Sequence, residues 1–228
     1  MLSRSMAVPK TQKTKEARKR QLLEAAIECF GTRGYHETQI SDIIKRASVA
    51  RGTFYLYFDS KREIFREIME GLFLRVKNQI QSLPHDAVEK IPAQLLGNIA
   101  RVTELLFAEP LLAKLLVNEA VGLDDEQDAQ LSNFYNQILD YIHRGLKQGQ
   151  DMGFVRQGNV PVMAICLLGS FKEIFYQTLL GTEKPSQSDV IQELFRTVAG
   201  AVIDPSKLIL IEAFLNSSIQ LNKLVEAQ

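Results

Sequence analysis

The stretch Gln39–Phe58, QISDIIKRASVARGTFYLYF, constrains this chain more than any other. Ile40, Ile43 and Ile44 recur at three and four residues, so a short helix is expected over about Gln39–Arg46. Thr38 stands where it can cap that helix, and Ser41 and Asp42 favour its first turn. Ala47-Ser48-Val49 reads as a tight turn, and a second short helix is expected over Arg51–Tyr57. Five of the eight residues Arg51–Phe58 are aromatic or leucine. A helix of about two turns has one inward stripe and cannot bury all of them, so some must face a partner.

The charge distribution says what kind of partner. The chain is formally neutral over 228 residues, yet residues 1–62 carry 13 Lys/Arg against 6 Asp/Glu, a surplus of seven positive charges, while residues 63–228 carry 14 against 21. A basic head on an acidic body points to a polyanion met by the head alone.

A helix that reads DNA needs small groups that let its backbone approach, and donors that reach phosphates and base edges. Gly52 is poor for helix stability but allows close approach. Arg51 can reach a phosphate or a guanine. Thr53 offers a hydroxyl to phosphate or a methyl to thymine. Tyr55 and Tyr57 combine flat apolar area with a hydroxyl, and Lys61 can take another phosphate. Phe54 and Phe58, four residues apart, are better placed as core residues; Leu56 is left without an assigned side.

The flanks fit a small helical head. Residues 1–14 are polar and contain Pro9, and are expected to form a flexible basic arm. A first helix follows over about Thr14–Thr32, with Leu22, Leu23, Ala26, Ile27 and Phe30 as its apolar stripe and Gly34 at its end. Ser60 and Glu63 form a capping box for a long helix over about Lys61–Ser82, whose apolar face runs through Ile64, Phe65, Ile68, Leu72 and Val76. Its length makes it the strut between head and body.

On these residues the segment Leu22–Phe65 resembles the DNA-binding head of the TetR family of bacterial regulators. The match runs through Ala25-Ala26 and Phe30, Gly34-Tyr35, Ile40, Asp42-Ile43 and Val49. It is densest in Arg51-Gly52-Thr53-Phe54-Tyr55, Tyr57-Phe58, Ser60-Lys61 and Glu63. The chain departs from the family pattern in having Ser48 where glycine is common, Ala50 where a small polar residue opens the second short helix, and Gln39 where Ser or Thr is the usual cap.

The resemblance implies an all-α fold with a head at 15–62 and a ligand-binding, dimerising body at 63–228. It implies a homodimer whose two heads occupy successive major grooves of a palindromic operator, about 34–36 Å apart. It also implies a ligand-filled body that moves the heads through the strut helix. Carried over residue by residue, the DNA contacts are Gln39, Arg51, Gly52, Thr53, Tyr55, Tyr57 and Lys61. Base reading is assigned to Gln39, Gly52, Thr53 and Tyr55.

The rest of the chain reads as helices over about 86–108, 110–121, 125–151, 159–181, 187–203 and 205–226. Most prolines fall near helix starts, where the missing amide hydrogen matters little. An aromatic set with interleaved polar residues suits a small apolar or amphipathic effector; its members are Phe107, Asn118, Glu119, Phe134, Tyr141, Phe171 and Phe175. Helices 159–181 and 187–203 are the expected dimer faces. Met163, Leu167, Ser170 and Ile174 form one seam, and Ile191, Leu194, Phe195 and Val198 the other.

Other classes of function are disfavoured. No apolar run reaches the roughly 18 residues of a membrane span, and the basic N-terminus lacks a following apolar region, so no membrane and no leader are expected. Cys29 and Cys166 lie in apolar helical patterns and read as buried reduced thiols, which fits a cytoplasmic location. The acidic run Asp124–Asp128 lacks the spacing of a calcium loop, and His36, His85 and His143 are scattered. No metal, cofactor or catalytic set is expected, and the chain does not read as an enzyme. A ligand-responsive repressor is the leading reading. The alternatives are an activator, a DNA-anchored protein whose body binds another protein, and, weaker, a helical enzyme or carrier.

Overall fold

The computed structural model describes residues 10–82, 84, 87–118, 125–182 and 184–214. Their regular structure is helical: α1 Lys10–Arg33, α2 Ile40–Arg46, α3 Arg51–Tyr55, α4 Lys61–Gln79, α5 Ile91–Ala108, α6 Pro110–Asn118, α7 Asp125–Asp151, α8 Val160–Leu180 and α9 Gln187–Val202. Extended pairing among the described residues is a single antiparallel bridge, Val155 to Ile203.

The helix boundaries follow local chemistry. The Ser60 hydroxyl accepts the Glu63 amide at 3.1 Å, while Glu63 returns to the Asp59 amide, so α4 begins on the expected acidic and hydroxyl pair. Asn159 caps α8 with Pro161 just inside it, and Ser186 caps α9. Gly34, at φ +89°, ends α1.

Several expectations are corrected. α1 begins at Lys10, inside the segment read as a flexible arm. Residues 1–9 lie outside the described residues. Thr38 does not cap α2. Its buried hydroxyl turns back to donate to the carbonyls of Gly34 and Cys29 at 2.8 and 3.2 Å. Gln39 holds the cap position, where Asp42 accepts its amide at 2.9 Å. The helix expected from 86 is a short 3₁₀ turn, Val88–Lys90, leading into α5. The last segment starts as a 3₁₀ turn, Pro205–Lys207, and continues helical over 208–214. Beyond 214 the expected helix lies outside the described residues.

Two apolar cores result. The first joins α1, α2 and α3 to α4, α6 and the distal part of α8, through residues such as Leu22, Phe30, Ile43, Phe54, Phe58, Ile64, Leu72, Leu115 and Phe175. The second packs α5, α7, α8 and α9 around Ile91, Leu146, Met163, Leu194, Phe195 and Val198. The head therefore shares its core with part of the body.

Candidate nucleic-acid interface

α3 is only five residues long and follows Ala50, which is extended and offers no side-chain cap. Tertiary packing holds it. Phe54 and Phe58 are fully buried, with ring centroids 5.9 Å apart, and both belong to the first core. The turn before it is fixed from two sides. Gln21 of α1 donates to the Ala47 carbonyl at 2.7 Å. Ser48 then takes φ +51°, the left-handed conformation that glycine adopts without steric penalty. The chain thus keeps the backbone shape of a turn glycine with a serine in its place.

With the two phenylalanines inside, the opposite face is determined by helical spacing. Arg51, Gly52, Tyr55 and Leu56 are exposed, Leu56 to 76% and Tyr55 to 43%. The Arg51 guanidinium lies 5.9 Å from the Tyr55 ring centroid, so the two outer side chains form one cationic and aromatic surface. Thr53 is half-buried, and so is Tyr57, which packs against the first core. A β-carbon at Gly52 would meet nothing within 4 Å. The protein's own packing does not require a glycine there. Gln39 is exposed at the N-cap of α2.

Lys61 is engaged inside the head. Its ammonium donates to the carbonyls of Tyr35, His36 and Thr38 at 2.7, 3.2 and 2.8 Å and lies 4.4 Å from the Tyr35 ring centroid. It ties the carbonyls of the loop between α1 and α2 to the start of α4. Ion pairs add further ties within the head: Lys19 to Glu67 at 2.7 Å, Arg33 to Asp42 at 3.3 Å, and Arg46 to Glu28. The last pair draws the Glu28 carboxyl below its ordinary value.

The strut is latched to the body at three points. Arg75 of α4 makes a two-pronged pair with Glu109, just before α6, one bond being 2.8 Å. Arg101 of α5 donates to the Gln79 carbonyl at the end of α4 at 2.8 Å. Asn98 accepts the Gln81 amide at 3.0 Å and donates to its carbonyl at 2.9 Å.

Of the expected effector set, Phe107, Phe171 and Phe175 come together where the two cores meet. Phe107 and Phe175 touch edge-on at 5.9 Å, and Phe107 and Phe171 pack against both cores. Tyr141 is half-buried and belongs to neither core. Glu119 lies outside the described residues, as do the side chains of Asn118 and Phe134. Sequence reasoning missed Thr103, one turn before Phe107. It is fully buried, and its hydroxyl has no hydrogen-bond partner.

The dimer seams also need correction. Met163, Leu194, Phe195 and Val198 are buried within the protomer, in the second core, and Leu167, Ile174 and Ile191 pack against it. The exposed residues of α8 are instead Pro161, Val162, Ile165, Cys166, Gly169, Glu173, Tyr176, Gln177 and Leu180, Gln177 donating to Glu173 at 2.7 Å. Val162 and Ile165 are more than half exposed. Cys166, read as buried, is exposed, while Cys29 is buried and its thiol is pushed up by burial. Among the described residues no group of His, Cys, Asp and Glu could hold a metal ion.

Residues 22–68 match the family described as bacterial regulatory proteins, tetR family. The uncharacterized HTH-type transcriptional regulator YdgC of Bacillus subtilis is 29% identical over 182 residues, covering 75% of this chain and 86% of the relative. The fatty acid metabolism regulator protein of the same species is 28% identical over 176 residues, covering 75% and 89%. Among solved structures, the tetR regulator TylP of Streptomyces fradiae shares the fold at a TM-score of 0.68 and 20% identity, over 91% of this chain and 97% of that one. The Bacillus subtilis transcriptional regulator FadR in complex with stearoyl-CoA does so at 0.66 and 23%, over 80% and 98%.

Proposed function

This chain belongs to the TetR family of bacterial regulators and is a transcriptional regulator rather than an enzyme; on that premise we propose that it is a cytoplasmic homodimeric repressor released from a palindromic operator by a long-chain acyl effector. The observation that carries the reading is the outward face of α3, where Arg51, Gly52 and Tyr55 stand exposed on a helix anchored by Phe54 and Phe58. Open space at Gly52 fits a glycine required by the partner and not by the fold. In this reading residues 15–62 are the DNA-binding unit, and Gln39, Gly52, Thr53 and Tyr55 read bases. Arg51 and Tyr57 position the head on phosphate. Lys61 holds the turn after α1 and adds its charge to the same edge. Residues 63–228 bind effector and dimerise.

The exposed stripe of α8 supports pairing of two copies. α8 is apolar and long enough to cross a membrane by length and composition, yet only 22% of its most apolar window is buried. A second α8 would cover Val162, Ile165 and Leu180, and Gly169, with open space around it, lets two helices approach closely. The acyl effector rests on the fatty-acid relatives and on the aromatic junction Phe107, Phe171 and Phe175. Selection of binding sites from random duplex DNA tests the proposal. The expected product is a palindrome whose half-sites lie about one helical turn, or a multiple of it, apart, and stearoyl-CoA is expected to weaken its binding. Enrichment of no sequence, or of single half-sites by a monomer, overturns it.

A further inference from the structure

Leu56 is the most exposed large apolar side chain among the described residues, at 76%. Its position is fixed by the backbone. Its amide donates to the Gly52 carbonyl at 3.2 Å, and its φ of −75° and ψ of −16° continue the turn of α3. Phe54 and Phe58 each stand two residues away, about 200° round the helix, and both are buried. Leu56 therefore points away from the core, on the outermost ridge of α3, one turn after Gly52. Helical side chains lean toward the N-terminus, so Leu56 leans over the turn that holds Gly52. That turn is bare, since a β-carbon at Gly52 would meet nothing within 4 Å. Tyr55 pairs along the neighbouring row with Arg51, whose guanidinium lies 5.9 Å from its ring centroid. The result is an apolar prong beside a notch at the backbone.

We infer that Leu56 selects a thymine in each half-site of the operator, by packing on the C5-methyl group of that base. This rests on the DNA-binding reading of α3 above and adds a base preference to it. A leucine side chain makes no hydrogen bond, so it gains nothing from a phosphate or a polar base edge. The major groove presents one apolar group, the thymine methyl. The notch at Gly52 lets the helix come close enough for the prong to reach it. A cytosine at the same place lacks the methyl and sets its N4 amine against the leucine, where that donor loses water and finds no acceptor. An apolar protein surface is a poorer match. Arg51 and Gly52 beside the prong offer no apolar patch, and residues 1–62 carry 13 Lys/Arg against 6 Asp/Glu.

Uracil scanning of one selected operator tests the assignment. Each thymine is replaced in turn by uracil, which pairs alike and lacks only the methyl, and the full-length wild type and Leu56→Ala are titrated against every duplex. The wild type is expected to lose about fourfold in affinity per methyl at one thymine of each half-site. Leu56→Ala is expected to bind the unmodified operator about tenfold more weakly and to lose its sensitivity to uracil at that thymine alone. Its salt slope and thermal midpoint are expected to match wild type, because the side chain touches neither phosphate nor core. A uracil profile in Leu56→Ala identical to that of wild type overturns the role of Leu56 and leaves the DNA-binding reading standing. So does a wild type indifferent to every thymine methyl, or an operator without thymine in its half-sites. Failure of the wild type to select any sequence overturns both.

Discussion

Gly31 of α1 and Leu111 of α6 lie so close that a β-carbon at residue 31 would stand 2.9 Å from the Leu111 β-carbon and 3.1 Å from its carbonyl oxygen. These atoms sit near the backbone and have little freedom to move. The contact joins the head to the body independently of the strut. Gly31→Ala gains up to about 1 kcal/mol in helix propensity, but forces the two helices apart against packing worth about 1–3 kcal/mol. A net loss of stability is expected by denaturant titration, together with a changed operator affinity. Gly71→Ala, on α4 with open space around it, serves as the control and is expected to be neutral or stabilising.

The turn before α3 makes an opposite prediction. Ser48 holds φ +51° without the freedom of glycine. Ser48→Gly relieves that conformation and is expected to leave stability unchanged or raise it by up to about 1 kcal/mol, the gain being offset by a more flexible unfolded chain. Ser48→Val, β-branched in the left-handed region, is expected to lower stability by more than 1 kcal/mol and to weaken operator binding. Equal stability of Ser48→Val and wild type in thermal unfolding would show that the turn is held elsewhere.

The two faces of α8 and α9 are separable by substitution. Ile165 is 59% exposed in the protomer, whereas Leu194 is fully buried. Ile165→Asp is expected to give a folded monomer by light scattering and circular dichroism, and to lose operator affinity with dimerisation. Leu194→Asp buries an unpaired carboxylate and is expected to prevent folding. A dimer that survives Ile165→Asp places the partner on another face.

Tyr135 couples the body to alkaline pH. Its hydroxyl donates to the Leu116 carbonyl at 2.6 Å, and burial raises its pKa from 10.0 to about 12. Between these two values the unfolded chain releases the proton while the folded chain retains it. Fewer protons bound in the unfolded state means that stability falls as pH rises through this window and is unaffected below it. Tyr135→Phe is expected to lower stability at neutral pH by about 0.5–1.5 kcal/mol and to flatten the decline between about pH 10 and 12. An equally steep decline in both proteins excludes Tyr135 as its cause.

The head was legible because its signals are local. Capping residues, the three-and-four spacing of Leu22, Ala26 and Phe30, and the cluster after Arg51 each specify a structure within a few residues of themselves. Phe54 and Phe58 could be turned inward, and Tyr55 outward, from spacing alone. Thr38 and Gln39 are adjacent polar residues that can each serve as the cap of α2, and the choice depends on the Gly34 and Cys29 carbonyls that the fold brings within reach of the Thr38 hydroxyl. Lys61 was read by its charge, whereas the carbonyls around it come from a loop more than twenty residues away in sequence. α8 hid its orientation for another reason. Its first half is apolar on both faces, one turned to its own core and the other exposed, so periodicity does not tell them apart there. Thr103 carried no sequence signal at all; only the fold shows that its hydroxyl is buried without a partner.

The central claim is that the outer face of α3 binds DNA, and the salt dependence of operator affinity tests it most directly. Wild type, Arg51→Ala and Tyr55→Phe are measured on one selected operator from about 50 to 200 mM salt. Arg51→Ala is expected to weaken binding and to reduce the salt slope by about one unit per head, as the loss of a phosphate contact requires. Tyr55→Phe is expected to weaken binding by about 1–3 kcal/mol with an unchanged slope, as the loss of a base contact requires. Affinity and slope identical to wild type in both variants would contradict the account.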